Sequence, residues 1–279
     1  MSKRYAAVLA MVTCLSAPAM AETIGIRFIV SDELGLSAQQ QQSTQHKLKK
    51  YIDTLNSYFL NSEVMLKAEI VQIEFSRIGS TVDTEIIADM AHERKGFEGL
   101  FLKAREHGAD YTIAMASTLM MKGKPGCGRA YAVNKTIADI SSTRTAFAVV
   151  NFVCGAHTLA HELGHLMGLN HGTLVDSCHP GKGHTSAITP YANGYAEGTC
   201  DGLPQAGEFG DIMVGGYMHE ISGGKNLPFF SNPRISDKRC GNAMRCGDTS
   251  IGDAARALNE NKHHYAAHET RKIDARSTP

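Results

Sequence analysis

The stretch HTLAHELGHLMGLNHG (157–172) holds four histidines and one glutamate within sixteen positions. Three of its leucines recur at four- and three-residue spacing, which predicts a helix with one buried face: Leu159, Leu163 and Leu166. His161 and His165 are four residues apart, so both side chains lie on a second face and can reach one ion. We therefore expect a half-buried helix that presents a pair of imidazoles.

The end of this helix is expected to bring a third histidine to the same place. Gly168 permits the positive φ that reverses the chain, so the helix should stop at or before Asn170, and His171 should turn back toward the pair. Three neutral imidazoles leave the fourth position of a tetrahedral zinc ion open to water, which is typical of a catalytic site. Glu162 follows the first histidine and could act as the general base on that water.

Two other interpretations of the stretch remain open at this point. A surface helix with scattered histidines would place unpaired imidazoles on a half-buried helix, which is unfavourable without a ligand. Alternatively, the third ligand could be a downstream acid such as Glu197 or Glu220, in which case His171→Ala would retain the metal. His157, one turn before the first ligand, is expected to pack near the site or support it rather than to bind the ion.

Residues 1–21 predict an export signal. A basic start, MSKR (1–4), precedes an apolar stretch (5–17) that is too short to span a bilayer, and a small-x-small end, AMA (19–21), follows. A lipoprotein anchor on Cys14 is the alternative, but Thr13 stands where a small residue is expected. We predict a secreted protein, or a periplasmic one if the host is a Gram-negative bacterium.

Six cysteines follow the signal, and an even number in an exported chain suggests three disulfides with 15 possible connectivities. Local pairing is the arrangement that we expect: Cys127–Cys154, Cys178–Cys200 and Cys240–Cys246.

The charge balance excludes an electrostatic case for two classes of partner. The 279 residues contain 28 Lys+Arg and 28 Asp+Glu, so nothing in the composition favours nucleic acid or an anionic membrane surface. Hydrophobic residues make up 43% of the chain, which is sufficient for a buried core. We expect a globular monomer.

Strands and helices alternate in the first half of the chain, which indicates an α/β or α+β layer with a mixed sheet, and we predict the α+β class. Strands are predicted at 23–30, 68–75, 110–116, 129–133 and 146–152, and helical periodicity appears at 48–59, 84–106 and 255–265. The segment 173–250 is rich in glycine and cysteine and should form irregular loops held by disulfides rather than by a large core. We therefore divide the mature chain into a catalytic subdomain (22–172), a C-terminal subdomain (173–268) and a flexible tail (269–279).

The segment HELGHLMGLNH (161–171) matches the HExxHxxGxxH signature of the metzincin zinc metallopeptidases. Downstream, GDIMVGG (210–216) resembles the methionine turn of that clan. Further segments make the chain most similar to bacterial reprolysin-like, adamalysin-related peptidases: CGRAYAV (127–133), AFAVVN (146–151), PYANGY (190–195), FFSNPRI (229–235) and DAARALNEN (253–261).

The resemblance implies a twisted mixed sheet with helices, followed by a small irregular C-terminal subdomain. It implies one catalytic Zn²⁺ and leaves calcium binding open. The zinc ligands would be His161, His165 and His171, with Glu162 as general base and Met213 beneath the site. An extended protein or peptide substrate would lie along the edge strand near 127–133.

Two positions depart from the family pattern: Gly172 stands where adamalysin-type proteins usually carry Asp, and Gly215 stands where some metzincins carry Tyr. The expected function is that of a secreted zinc endopeptidase. The alternatives are a secreted metal-holding binding protein without turnover, and a peptidase restricted to a single partner protein.

Overall fold

A five-stranded mixed sheet forms the frame of the protein. The computed structural model describes residues 21–131, 136–179, 187–203, 205–215, 225–241 and 243–265. The predicted tail, and all of the predicted signal except its last residue, lie outside these ranges. No helix within the described ranges is both long and apolar enough to cross a membrane.

The strands of the described residues, in chain order, are β1 (Glu22–Ser31), β2 (Leu66–Ser76), β3 (Tyr111–Ala116), β4 (Met120–Met121), β5 (Lys124–Pro125), β6 (Gly128–Ala130), β7 (Phe147–Asn151), β8 (Ala196–Glu197) and β9 (Phe209–Gly210). The helices are α1 (Ala38–Asn61), α2 (Asp83–Ala91), α3 (Leu100–His107), α4 (Ile137–Ile140), α5 (Gly155–Leu166), α6 (Thr173–Cys178) and α7 (Ala254–Tyr265).

The sheet has the order β2-β1-β3-β7-β6. Its first four strands are parallel, and β6 runs antiparallel to β7 at one edge. The predicted strand at 129–133 corresponds to β6, which begins at Gly128 and ends at Ala130, while residues 132 and 133 lie outside the described residues. Together with the helices, this mixed sheet confirms the predicted α+β fold.

Helices cover both faces of the sheet, because alternate residues of a strand point to opposite sides. On one face, Ile26 and Phe28 of β1 belong to the main core, together with buried residues of α1, α5 and α7. On the other face, Ile29 belongs to a second core with residues of α2 and α3. The helix that carries the histidines is therefore packed directly on the sheet.

The helical periodicity at 84–106 is interrupted, so the prediction of a continuous helical segment is wrong. Helix α2 ends at Ala91 and α3 begins at Leu100. Between them Lys95, Gly96 and Gly99 have positive φ angles, which a right-handed helix does not allow. A Cβ on Gly96 would lie 1.9 Å from the carbonyl oxygen of Arg77, so the chain here must pass close to another backbone segment.

The C-terminal region is held by more than its disulfides. The structure contains Cys127–Cys154, Cys178–Cys200 and Cys240–Cys246, which coincide with the local pairs expected from the sequence. In addition, Ile212, Met213 and Phe230 are fully buried and join the main core, where Phe230 stacks on Phe59 of α1. The expectation that disulfides rather than a large core hold this region was therefore wrong, because its buried residues occur in short groups that show no helical or strand periodicity.

Candidate metal centre

Helix α5 places two histidines on one line of its surface. Leu159 and Leu163 are fully buried beneath the helix, while His161 and His165 lie on the other side and are half-buried. The helix ends at Leu166 because Gly168 adopts a φ of 90°, and the N–H of Leu169 closes the turn on the carbonyl of Gly164 at 2.9 Å.

The third histidine is held by pairing between two chain segments. The N–H of Asn170 donates to the carbonyl of Ala192 at 3.0 Å, and the N–H of Gly194 donates to the carbonyl of Asn170 at 2.9 Å. A Cβ on Gly172 would lie only 2.5 Å from the carbonyl oxygen of Gly194. This close approach explains why a glycine follows His171, at the position where adamalysin-type proteins usually carry Asp.

The three imidazoles converge through their Nε2 atoms. These nitrogens are 3.0 Å apart for His161 and His165, 3.2 Å for His165 and His171, and 3.3 Å for His161 and His171. Tetrahedral zinc about 2.1 Å from each nitrogen would hold the nitrogens about 3.4 Å apart. The spacing therefore fits a zinc ion within a few tenths of an ångström, and these histidines form the metal-binding group found among the described residues.

The second nitrogen of two rings fixes which atom can bind the metal. His161 Nδ1 lies 2.8 Å from the carbonyl oxygen of Ile212, and His165 Nδ1 lies 3.1 Å from that of Leu169. Because a carbonyl only accepts, each Nδ1 carries the proton and each Nε2 keeps its lone pair. Two lone pairs cannot hydrogen-bond to each other, so a cation is the partner that suits this donor set.

Burial also favours the neutral imidazoles that a metal requires. Desolvation, aided by the neighbouring His171, lowers the pKa of His161 to about 3. This ring is therefore uncharged at neutral pH.

The Glu162 side chain extends from α5 toward the edge strand β6. Its side chain is buried, with 6% of the residue surface exposed. A Cβ on Gly128 of β6 would lie 2.6 Å from Glu162 Oε1 and 2.9 Å from Thr158 Cγ2. Glycine at this position therefore allows the edge strand to pass directly beside the carboxylate.

The methionine turn (residues 211–214) lies beneath the histidines. Met213 is fully buried, and a Cβ on Gly164 of α5 would lie 2.4 Å from its Sδ atom. Gly215, with a φ of 58°, follows the turn, and a Cβ there would lie 2.7 Å from His161 Cε1. Both glycines thus permit close contact between the turn and the helix that carries two of the imidazoles.

Asp211 opens the methionine turn and was not identified from the sequence. It is fully buried, and its Oδ1 accepts the N–H groups of Met213 at 2.9 Å and Val214 at 3.2 Å. Burial raises the pKa of Asp211 to about 7, although the backbone N–H donors that bond to it act in the opposite direction. An aspartate in a glycine-rich segment resembles an ordinary turn residue, so the sequence carried no signal of burial.

Other predicted residues lie apart from the three imidazoles. The His157 ring packs edge-on against Tyr58, with ring centroids 6.1 Å apart, and burial lowers the pKa of His157. Glu197 accepts a hydrogen bond from the Tyr195 hydroxyl at 3.3 Å and is not part of the cluster of three histidines. The alternative ligand Glu220 lies outside the described residues.

Comparisons with known proteins agree with this geometry. A peptidyl-Asp metalloendopeptidase of Pseudomonas aeruginosa is 31% identical over 137 residues, which cover 48% of this chain and 21% of that protein. A protein of the same name from Xanthomonas campestris is 26% identical over 214 residues, which cover 76% of this chain and 44% of that protein. The chain thus spans less than half the length of these curated relatives.

A solved structure described as a chaperone-substrate complex has a similar fold, with a TM-score of 0.62 and 19% identity over 89% of this chain and 36% of that one. The family model for metallo-peptidase family M12 (Reprolysin_5) matches residues 20–202, which is well over half of the sequence. Membership of this family implies a zinc ion, in keeping with the spacing of the three imidazoles. The chain belongs to metallo-peptidase family M12.

Proposed function

We propose that this chain is an exported zinc-dependent endopeptidase that hydrolyses peptide bonds with Glu162 as general base. The observation that carries the proposal is the convergence of three imidazole Nε2 atoms, 3.0–3.3 Å apart, next to a buried carboxylate on the same helix. His161, His165 and His171 would hold the ion, and Met213 would form the floor beneath them.

Glu162 performs the proton transfers in this proposal. Zinc, when bound, lowers the pKa of water and polarises a carbonyl oxygen. The Glu162 carboxylate takes a proton from the attacking water and later delivers one to the nitrogen of the departing amine. General acid–base catalysis of this kind contributes roughly 10²–10⁴ in rate.

The substrate would bind as an additional strand beside β6. The outer edge of β6 is the edge of the sheet, so its backbone groups can pair with an extended peptide. Because Gly128 of this strand lies against the Glu162 side chain, a peptide added there passes close to the carboxylate. This placement supports cleavage within a chain rather than removal of a terminal residue.

The names of the relatives direct the choice of substrate. Two curated relatives are called peptidyl-Asp metalloendopeptidases, so we propose bonds next to aspartate as the first sites to test.

Export is supported by the sequence and by the disulfides. The basic and apolar start of the chain is typical of a signal, and disulfides persist in oxidising compartments outside the cytosol. We propose a secreted or periplasmic monomer. The two subdomains, divided at residue 172, remain part of this proposal.

Cleavage of a mixed peptide library, read by mass spectrometry, tests the proposal. Wild type should cut the peptides and Glu162→Ala should not, although both should hold one zinc ion. A chelator should also abolish the cuts. Enrichment of aspartate on one side of the cut would support the proposed specificity, and a random distribution would reject it.

Metal content separates the alternatives. His171→Ala should lose zinc while Glu197→Ala keeps it. The reverse result would favour a downstream acid as ligand. Zinc-loaded wild type that cuts nothing would reject the general endopeptidase and favour the metal-holding binding protein or the peptidase restricted to one partner.

A further inference from the structure

We propose that Asp211 is a positioning residue for the metal centre, because its carboxylate fixes the methionine turn and thereby sets the orientation and tautomer of His161. This inference rests on the proposed function and adds to it a residue that does not touch the substrate or the ion.

The Asp211 carboxylate connects two segments of backbone. Its Oδ1 accepts the N–H groups of Met213 and Val214 within the turn, and its Oδ2 accepts the N–H of Ser231 at 2.8 Å from a different segment. The residue is fully buried, so no water can replace these acceptors. The carboxylate thus fixes where the turn lies relative to residue 231.

The methionine turn fixes the orientation of the His161 ring. The carbonyl of Ile212 accepts the His161 Nδ1–H at 2.8 Å, and the N–H of Ile212 donates to the carbonyl of Phe229 at 3.1 Å. A carbonyl held in this position keeps the proton on Nδ1 and leaves Nε2 as the metal-binding atom. Asp211 is adjacent to Ile212, so movement of the turn would move this carbonyl.

The segment that supports the third histidine also contacts Asp211. A Cβ on Gly194 would lie 2.7 Å from Asp211 Oδ1 and 2.8 Å from the Met213 Cβ. The same Gly194 donates its N–H to Asn170, next to His171. Asp211 therefore lies where the supports of two different ligands meet, and a change there should affect the whole triad.

The test compares Asp211→Asn with Asp110→Asn in the full chain. The N–H groups of the turn and of Ser231 bond to different oxygens of the Asp211 carboxylate. An asparagine has only one side-chain oxygen, so either the turn or Ser231 loses its acceptor. Asp110 is the matched control: it is also buried, and it accepts the N–H of Gly25 at 2.7 Å on a different part of the sheet. Zinc affinity is measured by competition with a chromophoric chelator at pH 8, above the pKa of Asp211.

We expect Asp211→Asn to weaken zinc binding by about 10- to 100-fold, which is typical when a group that supports a metal ligand is removed. We expect Asp110→Asn to lower the melting temperature while its zinc affinity stays within twofold of wild type. Nitrogen-15 NMR of the zinc-free proteins should show the His161 proton on Nδ1 in wild type and in Asp110→Asn, and a mixture of tautomers in Asp211→Asn. A merely structural role for Asp211 would not change the tautomer.

If Asp211→Asn does not fold, Asp211→Ser replaces it, because a hydroxyl oxygen can still accept from the turn and only the Ser231 bond is lost. A folded Asp211 variant with wild-type zinc affinity and an unchanged His161 tautomer would overturn this inference alone. Failure of wild type to bind one zinc ion would overturn the proposed function and this inference with it.

Discussion

Replacing Gly164 by alanine should change stability in opposite directions depending on whether Met213 is present. In the interior of a helix, Gly→Ala ordinarily stabilises by about 1 kcal/mol. Here, however, the added Cβ would lie 2.4 Å from Met213 Sδ and 3.2 Å from Met213 Cε. Overpacking of this kind costs about 1–3 kcal/mol, so Gly164→Ala should be neutral to destabilising, by up to about 2 kcal/mol.

The Met213→Ala background removes the opposing atoms. Met213→Ala alone should cost about 2–5 kcal/mol because the side chain is fully buried. In that background the nearest remaining atom is Leu169 Cδ1, at an ordinary contact distance of 3.4 Å from the added Cβ. Gly164→Ala should therefore regain the helical gain of about 1 kcal/mol. The coupling between the two substitutions should therefore be about 1–3 kcal/mol.

Urea unfolding of the four proteins, with disulfides intact and a chelator present, measures this coupling. Equal m-values are required, because a change in m would mean that the unfolding reaction itself had changed. If Gly164→Ala stabilised both backgrounds by the same amount, the thioether could not lie against the helix between the two histidines, and the reasoning would be refuted.

Three other predictions concern the cleft, a disulfide and the buried carboxylate. Gly128→Ala should lower kcat about 100-fold with zinc content unchanged, since a displacement of about 1 Å at the general base has effects of that size. A Gly128→Ala variant that hydrolyses peptides at the wild-type rate would contradict the close contact between residue 128 and Glu162. Cys127→Ser/Cys154→Ser should lower the free energy of unfolding in guanidinium by about 3.6 kcal/mol from loop-closure entropy, and a loss below about 1 kcal/mol would contradict that account. The folded pKa of Asp211, about 7, exceeds its ordinary value of 3.8, so the folded state binds more protons between these values. The contribution of Asp211 to the free energy of unfolding is therefore full below pH 3.8 and lost as the pH rises to about 7. The free energy of unfolding of wild type relative to Asp211→Asn should fall across this window, and a rise would contradict a raised pKa for Asp211.

Sequence periodicity was sufficient for the elements that pack by one continuous face. The leucines of α5 and the positive φ of Gly168 have local signals, so the helix and its end could be predicted together. The break between α2 and α3 was missed although Gly96 and Gly99 are local signals of the same kind, because Phe97 continues the apolar spacing across them. That break depends on the approach of Gly96 to the backbone of Arg77, a contact between segments that periodicity cannot detect.

The candidate site divides in the same way. The three histidines and Glu162 could be named because their spacing on one helix and one turn is a local property. The supporting residues could not, because Asp211, Gly128 and Gly194 matter through what approaches them from elsewhere in the fold. A single sequence contains no record of those approaches.

The connectivity of the disulfides has a consequence for how the chain matures. The six cysteines of these bonds pair consecutively, first with second, third with fourth and fifth with sixth, at separations of 27, 22 and 6 residues. A thiol that pairs with its nearest following neighbour as the polypeptide emerges reaches the native arrangement directly. The hydrogen bonds between β1 and β3, by contrast, join distant segments and form only after a long stretch has been synthesised. In the export that we propose, oxidation during translocation can therefore run ahead of sheet assembly without trapping a wrong partner. Refolding from the reduced state should depend little on a disulfide isomerase.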